Sequence, residues 1–202
     1  MRRLGAALGL VLLLALEAHG AERVILAFGD SLTAGFGVAP ADAYPALLEA
    51  RLAAARYPYR VVNAGVSGET TAGGLRRVDW ALRLRPEVVI VALGANDGLR
   101  ALDLGAMRDN LIEIVARFQA AGARVLVAGM RLPPNYGPYA LAFHRVFQDV
   151  AGARRAALMP FFLDGVAGQP RLNQADGIHP TAEGYRVVVD RLWPHLVPLL
   201  RR

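Results

Sequence analysis

The sequence predicts a single α/β domain with a mostly parallel five-stranded sheet. Five short runs are rich in valine, isoleucine or leucine throughout, which is typical of parallel strands covered on both faces. Longer helical patterns lie between these runs, and right-handed crossovers through such helices join parallel strands. The length of 202 residues favours one domain whose core is large enough to need no metal or disulfide.

The strands and helices are predicted from runs and periodic patterns. Strands are expected at 23–28, 60–65, 87–94, 124–130 and, as the least regular run, 156–162. Helices are expected between them at 42–56, 71–84, 103–121 and 139–155. The clearest helix, 103–121, places five apolar residues on one face: Leu104, Met107, Leu111, Ile114 and Phe118. A final helix is expected to begin near Pro180 and to end at about Leu192, before Pro194.

The first twenty residues are predicted to be a signal peptide. Arg2 and Arg3 form a basic start, an apolar run follows, and small residues flank His19 before the expected cleavage site. The apolar run is shorter than the roughly 20 residues that span a bilayer, although an uncleaved anchor is the alternative. We therefore expect a signal peptide at 1–20, a mature domain at 21–202 without an integral membrane span, and a periplasmic or secreted protein.

Two absent residue types exclude several chemistries. All 23 basic residues are arginine, and the chain contains neither lysine nor cysteine. Without lysine there is no P-loop, Schiff-base lysine or serine–lysine dyad. Without cysteine there is no thiolate catalysis, zinc–cysteine site or disulfide. The formal net charge is +6, but the arginines alternate with acidic residues instead of forming a basic stripe, so nucleic-acid binding is not expected.

Ser31 is the first candidate for chemistry, in the stretch LAFGDSLTAG that contains the end of the first predicted strand. In open α/β sheets, ligands bind beyond the carboxyl ends of the strands, which is where this serine falls. A serine in that place is also a common helix cap or turn residue. Its role therefore depends on the other residues at the same edge of the sheet.

Asp176 and His179 follow the last predicted strand, in the stretch DGIHP. A nucleophilic serine needs a base, and an imidazole base needs a carboxylate that holds its tautomer. The alternative is that Asp176 only caps a turn. The other histidines lie in the signal peptide or in helix-like segments. His179 is therefore the histidine best placed to serve Ser31.

Asn96 and Gly65 follow or end the third and second predicted strands. Asn96 in LGANDG offers side-chain N–H donors to a developing oxyanion, and Gly65 in VVNAG lets a backbone N–H approach a substrate closely. Each is also an ordinary turn residue. Competing motifs are absent: neither Ser31 nor Ser67 lies in G-x-S-x-G, no G-x-G-x-x-G follows a strand, and H-E-x-x-H does not occur.

Four blocks of the sequence, FGDSLT, NAGVSG, GANDG and DGIHP, resemble in order those of the SGNH (GDSL) hydrolases. The stretches GANDGLR, RLPPNYG and LMPFFL are further similar to its bacterial periplasmic subfamily of multifunctional acyl-CoA thioesterase, arylesterase and lysophospholipase. The resemblance implies a flavodoxin-like, three-layer α/β/α fold. It also implies hydrolysis of acyl esters or thioesters without a metal or other cofactor.

The resemblance also implies a role for each motif residue. Ser31 is the implied nucleophile, His179 the base and then the acid, and Asp176 the residue that orients His179. The implied oxyanion hole combines the backbone N–H groups of Ser31 and Gly65 with the side chain of Asn96.

Further residues are implied around the substrate. The segments 69–80 and 131–139 are expected to form the acyl-binding cleft. The substrate-binding candidates are Asp30, Pro133, Asn135 and Tyr136. Asp30 and Asp97 are also expected to hold loops by accepting backbone hydrogen bonds.

The expected partner is a small acyl ester or thioester, with lipids among the candidates. One alternative is a carbohydrate esterase or O-acyltransferase that uses the same triad. A second is a non-catalytic binding module on the same scaffold. The sequence predicts neither the preferred acyl length nor the oligomeric state.

Overall fold

The sheet has five parallel strands in the order β2-β1-β3-β4-β5, as the computed structural model shows for residues 23–202. The predicted signal peptide lies outside the described residues. The strands are β1 (Arg23–Gly29), β2 (Tyr59–Gly65), β3 (Val88–Ala92), β4 (Arg124–Ala128) and β5 (Ala157–Met159). The chain turns from β1 towards one edge of the sheet and then returns past β1 to build the other side. This order therefore has its switch point at the carboxyl ends of β1 and β3.

Eight α-helices connect and cover these strands in residues 23–202. They are α1 (Ser31–Ala34), α2 (Tyr44–Ala54), α3 (Thr71–Arg76), α4 (Val78–Leu82), α5 (Ala95–Leu99), α6 (Leu104–Ala120), α7 (Gly137–Arg154) and α8 (Ala182–Leu196). Helix α2 packs against α8 on one face, whereas α6 packs against α3, α4 and α7 on the other. The right-handed crossover rule accounts for this division. The predicted three-layer α/β/α sandwich is confirmed.

The core lies between the sheet and both helix layers. Strand β3 is buried along its whole length, and β1 is buried from its second residue onward. Phe28 of β1 meets Phe118 of α6 edge to face, with ring centroids 5.3 Å apart. Burial on both faces explains why these strands read as continuous apolar runs and not as alternating patterns.

Two predicted helices differ from the structure. The segment 71–84 forms two short helices that meet at Arg77, whose backbone (φ −108°, ψ 6°) departs from helical values and whose guanidinium contacts Glu69 and the Gly29 carbonyl (3.1 Å). The last helix begins at Ala182, after the cap residue Thr181, and continues through Pro194 to Leu196. The buried side chain of Leu196 extends the apolar face past the proline, which keeps the last turn helical.

Strand β5 is shorter than predicted. Only three residues pair with β4, and Pro160, which has no N–H to donate, follows directly. The remainder of the predicted strand, including Phe161 and Phe162, runs over the carboxyl edge of the sheet.

No helix within residues 23–202 is long and apolar enough to cross a membrane.

Candidate active site

The structure brings Ser31, His179 and Asp176 into one hydrogen-bonded row at the carboxyl edge of the sheet. The two atoms Ser31 Oγ and His179 Nε2 are 2.8 Å apart, and His179 Nδ1 lies 2.7 Å from Asp176 Oδ2. An ionised carboxylate only accepts, so Nδ1 carries the proton of the neutral ring. Nε2 is then free to accept the Ser31 hydroxyl proton, which is the arrangement that a general base requires.

Asp176 is held by the loop that it belongs to. Its Oδ1 accepts the backbone N–H groups of Ile178 and His179, both at 3.0 Å, while Oδ2 faces the imidazole. The Ile178 N–H, together with the His179 contacts, lowers the pKa of Asp176 to about 2, although burial of the carboxyl opposes this shift. The carboxylate is therefore charged throughout the neutral and mildly acidic range.

Two residues outside the motifs hold the histidine loop against the rest of the rim. Gln174 Nε2 donates to the carbonyls of Phe36 (2.7 Å) and Pro180 (2.9 Å), and its backbone N–H donates to the His179 carbonyl (2.8 Å). The Phe36 ring lies 4.7 Å from the His179 ring, centroid to centroid. Since Phe36 follows α1, these contacts connect the loop of the base to the helix that begins with Ser31.

Asp30 is buried directly beneath the nucleophile. Its Oδ1 caps α1 by accepting the Leu32 N–H (3.0 Å), and its Oδ2 accepts from Asn96 Nδ2 (3.4 Å). Burial raises the pKa of Asp30 to about 6, and the Leu32 N–H opposes this increase in part. Asp97 is also buried and accepts the Thr71 N–H (2.9 Å) and hydroxyl (2.6 Å). Both aspartates thus join loops of the rim.

Asn96 is half-buried in the first turn of α5 and lines the cleft beside Ser31. Its Nδ2 faces the Asp30 carboxylate, and its Oδ1 accepts from Arg100 Nη2 at 3.4 Å. Of the two hydrogens on Nδ2, one is used by Asp30, so the second is available to a substrate oxygen.

Neither Gly68 nor Gly65 lines the cleft, and Gly65 also packs tightly against α1. It is the last residue of β2, its N–H already donates to Asn63 Oδ1 (2.9 Å), and a Cβ built on it would lie 2.1 Å from the Ala34 nitrogen. Gly68, three residues later, has a φ of +78° and lies beside Asn96, because Arg100 Nη2 bonds the Gly68 carbonyl (3.1 Å) as well as Asn96. The N–H groups of Ser31 and Gly68 have no hydrogen-bond partner among residues 23–202.

An apolar cleft of about 510 Å³ extends from the catalytic residues across the ends of β3, β4 and β5. A volume of this size is typical of a small-molecule site. Its lining beyond the triad is mostly apolar and includes Leu99, Met130, Leu132, Phe143, Phe161 and Leu163. Three strand spacings of about 4.8 Å separate β1 from β5, so the strand ends beside the cleft span about 14 Å.

Only two of the four predicted substrate-binding residues line the cleft. Asp30 and Pro133 line the cleft, whereas Asn135 and Tyr136 do not. Tyr136 donates its hydroxyl to the Leu99 carbonyl (3.0 Å), so it holds a lining residue in place. The segment 69–80 contributes no lining residue, because it folds into α3 and α4. The segment 161–168, after β5, instead forms the part of the cleft wall that 69–80 was expected to form.

No cluster of three metal-binding side chains occurs in the part of the chain that the structure describes. The site instead consists of a serine, an imidazole and a carboxylate in hydrogen-bond contact, with unused N–H donors beside the serine. That arrangement has the chemical requirements of acyl transfer to a serine.

Comparison with known proteins agrees with this geometry. The model of the GDSL-like lipase/acylhydrolase family matches residues 27–187. The chain is 44% identical over 194 residues to "Esterase TesA" of Pseudomonas aeruginosa, covering 95% of this chain and 96% of that protein. It is 36% identical over 192 residues to "Thioesterase 1/protease 1/lysophospholipase L1" of Escherichia coli K12, covering 94% and 90%.

A solved structure shows the same fold. The crystal structure of TesA superposes with a TM-score of 0.86 and 45% sequence identity, covering 88% of this chain and all of that one. The family match extends over most of the chain and includes Ser31, Asn96 and His179. The chain therefore belongs to the GDSL-like lipase/acylhydrolase family, the SGNH hydrolases.

Proposed function

We propose that this protein is a serine hydrolase that cleaves acyl esters and thioesters through an acyl-enzyme on Ser31. The observation that carries the proposal is the row Ser31 Oγ, His179 and Asp176, with contacts of 2.8 and 2.7 Å. The names of the relatives, an esterase and a thioesterase/lysophospholipase, support the same class of reaction.

The first half of the reaction forms the acyl-enzyme. His179 Nε2 takes the Ser31 proton as Oγ attacks the acyl carbonyl, and the carbonyl oxygen becomes an oxyanion. Asp176 stabilises the imidazolium, and its low pKa keeps it ionised for this purpose. His179 then gives the proton to the departing alcohol or thiol. In the second half, water replaces the leaving group and the same residues release the acid.

The oxyanion is proposed to receive three N–H donors. The Ser31 N–H and Asn96 Nδ2 are adjacent to the nucleophile. For the third donor we propose Gly68 in place of Gly65, because the Gly65 N–H is already bonded to Asn63 whereas that of Gly68 is free among the described residues. Removing one such donor costs about 10²-fold to 10³-fold in kcat.

The acyl group is proposed to lie in the apolar cleft. The lining residues Met130, Leu132 and Phe161 offer no charge to a substrate tail, and each buried methylene contributes about 0.8 kcal/mol. Lipid acyl esters are therefore included in the proposed substrate class. The N-terminal segment 1–20 is proposed to be a cleaved signal peptide, which would place the enzyme in the periplasm or outside the cell.

The proposal is tested with p-nitrophenyl butyrate, butyryl-CoA and a fluorophosphonate probe. The chain contains two serines, Ser31 and Ser67, which provide a matched pair. Ser31→Ala should abolish turnover and labelling, whereas Ser67→Ala should retain both. Retained turnover in Ser31→Ala would rule out the proposed nucleophile. Mass spectrometry of protein from the periplasmic fraction should find an N-terminus at Ala21, and an uncleaved chain would contradict the signal peptide.

A further inference from the structure

Arg100 joins the two loops that carry proposed oxyanion donors. It follows α5, and its Nη2 donates both to the Gly68 carbonyl (3.1 Å) and to Asn96 Oδ1 (3.4 Å). The guanidinium forms no ion pair with a carboxylate of residues 23–202, although nine other arginines in this range do. Its charge is therefore available to these two carbonyl oxygens.

The orientation of the Asn96 amide decides whether it helps or opposes catalysis. The two ends of the amide have nearly the same shape, but only the NH₂ end donates to an oxyanion. If the amide were flipped, Oδ1 would face the developing negative charge and repel it. An oxyanion hole is effective only when its donors are oriented before the reaction.

Two charged groups favour the productive orientation from opposite ends. The Asp30 carboxylate accepts from Nδ2, and the Arg100 guanidinium donates to Oδ1. A flip would place the amide oxygen against the carboxylate and the NH₂ group against the guanidinium, so both contacts would become repulsive. The Gly68 carbonyl accepts from the same Nη2 (3.1 Å), which limits the positions that the guanidinium can adopt.

We propose that Arg100, anchored on the Gly68 carbonyl, is a positioning residue that orients the Asn96 amide towards the oxyanion. This inference rests on the proposed function, since it assigns the donor of that same site. Arg100 itself touches no reacting atom. Because Arg100 is exposed, its contribution to kcat is expected to be smaller than that of Asn96. The contribution is therefore measured both with and without the Asn96 side chain.

The test is a double-mutant cycle on p-nitrophenyl butyrate hydrolysis. Arg100→Met keeps the aliphatic stem but removes the charge, and it should lower kcat about tenfold with KM changed less than twofold. In the Asn96→Ala background, the same substitution should change kcat less than twofold, because the group that it orients is gone. Arg100→Lys should restore a large part of the lost kcat by returning a cation to Oδ1.

Arg108→Met is the matched control, because Arg108 is an exposed arginine of α6 that, within residues 23–202, pairs only with the adjacent Asp109. It should retain the parent kcat and KM. Equal losses from Arg100→Met in both backgrounds, or a change in KM alone, would overturn the positioning role. So would a kcat equal to that of the parent.

The result also separates this inference from the proposed function. If the parent hydrolyses the ester and Ser31→Ala does not, the proposed function stands whatever Arg100→Met does. A parent without Ser31-dependent turnover overturns the proposed function and the positioning role together. Thermal unfolding of each variant shows whether a lost kcat reflects a lost fold, and Arg100→Lys supplies the answer if Arg100→Met does not fold.

Discussion

Replacing Asp30 by asparagine should remove a pH dependence of stability that burial of this carboxyl creates. Burial raises its pKa from 3.8 to about 6, although the Leu32 N–H and the Asn96 amide favour the charged form. In the unfolded chain the carboxyl returns to its ordinary value. The difference between the two pKa values corresponds to about 3 kcal/mol in the free energy of unfolding.

The sign follows from which state ionises first. Below pH 3.8 the carboxyl is protonated in both states, and the raised pKa has no cost. As the pH rises from 4 to 6, the unfolded chain loses this proton before the folded chain does, so the free energy of unfolding falls. Above pH 6 the full loss of about 3 kcal/mol is present. Asparagine does not ionise, so the free energy of unfolding of the wild type relative to that of Asp30→Asn should fall by about 2.5 kcal/mol between pH 4 and 7.

The assay is urea unfolding of both proteins, followed by circular dichroism at each pH unit from 4 to 7. Taking the difference at each pH cancels the titration of groups that the two proteins share. Ser31→Ala keeps Asp30 in place and should reproduce the wild-type pH dependence. Wild-type and Asp30→Asn curves that run parallel from pH 4 to 7 would refute the reasoning, as would a difference that grows with pH.

Three further predictions concern the cleft and its donors. Asp176→Ala should lower kcat about 10⁴-fold, whereas Glu183→Ala should change it less than twofold in the same p-nitrophenyl ester assay. Along a series of p-nitrophenyl esters from acetate to laurate, kcat/KM should rise about fourfold per methylene until the cleft is full, and Phe161→Ala should move that limit to longer chains. Gly68→Ala should lower kcat through its φ of +78°, while Gly65→Ala should lower the melting temperature instead because its Cβ meets α1. The reverse pattern would restore Gly65 as the donor.

The sheet and its catalytic edge were predictable because they depend on features that the sequence carries locally. Each buried strand is an apolar run, and each run ends where glycine or polar residues begin. Parallel strands place all their carboxyl ends at one edge, so Ser31, Asn96 and His179 had to lie there once the fold class was known. Strand β5 was the least regular run, and its length differs most from the prediction, since three residues pair where 156–162 was expected.

The finer parts of the site depend on loop geometry, which has no such local signal. Gly65 ends a strand and therefore looked like the close-approach glycine, but it packs closely against α1, and the positive φ of this loop falls at Gly68. The cleft wall could not be assigned either, because it needed the path of the segment after β5. Among the cleft residues outside the four sequence blocks, only the proline-rich stretch around Pro133 was predicted from the sequence.

Arg100 and Gln174 connect residues of different motifs, and such contacts cannot be predicted when each motif is considered separately. Arg100 lies four residues after Asn96, a spacing that brings side chains together on a helix, and this was the available signal. Gln174 joins Phe36 to the loop of His179 across 138 positions of sequence, and no periodic pattern reports such a contact. The motifs supply the reacting groups, whereas these residues fix the distances between them.

The pKa values of the two aspartates of the site, Asp176 and Asp30, are shifted in opposite directions, and their surroundings explain the difference. Asp176 is exposed and receives two backbone N–H groups, so its pKa falls to about 2 and its charge is present whenever His179 becomes an imidazolium. Asp30 is buried, and its pKa rises to about 6. A loss of activity between pH 7 and 5 therefore cannot come from Asp176. Protonation of Asp30 does fall in this range, and it weakens the acceptor that orients Asn96.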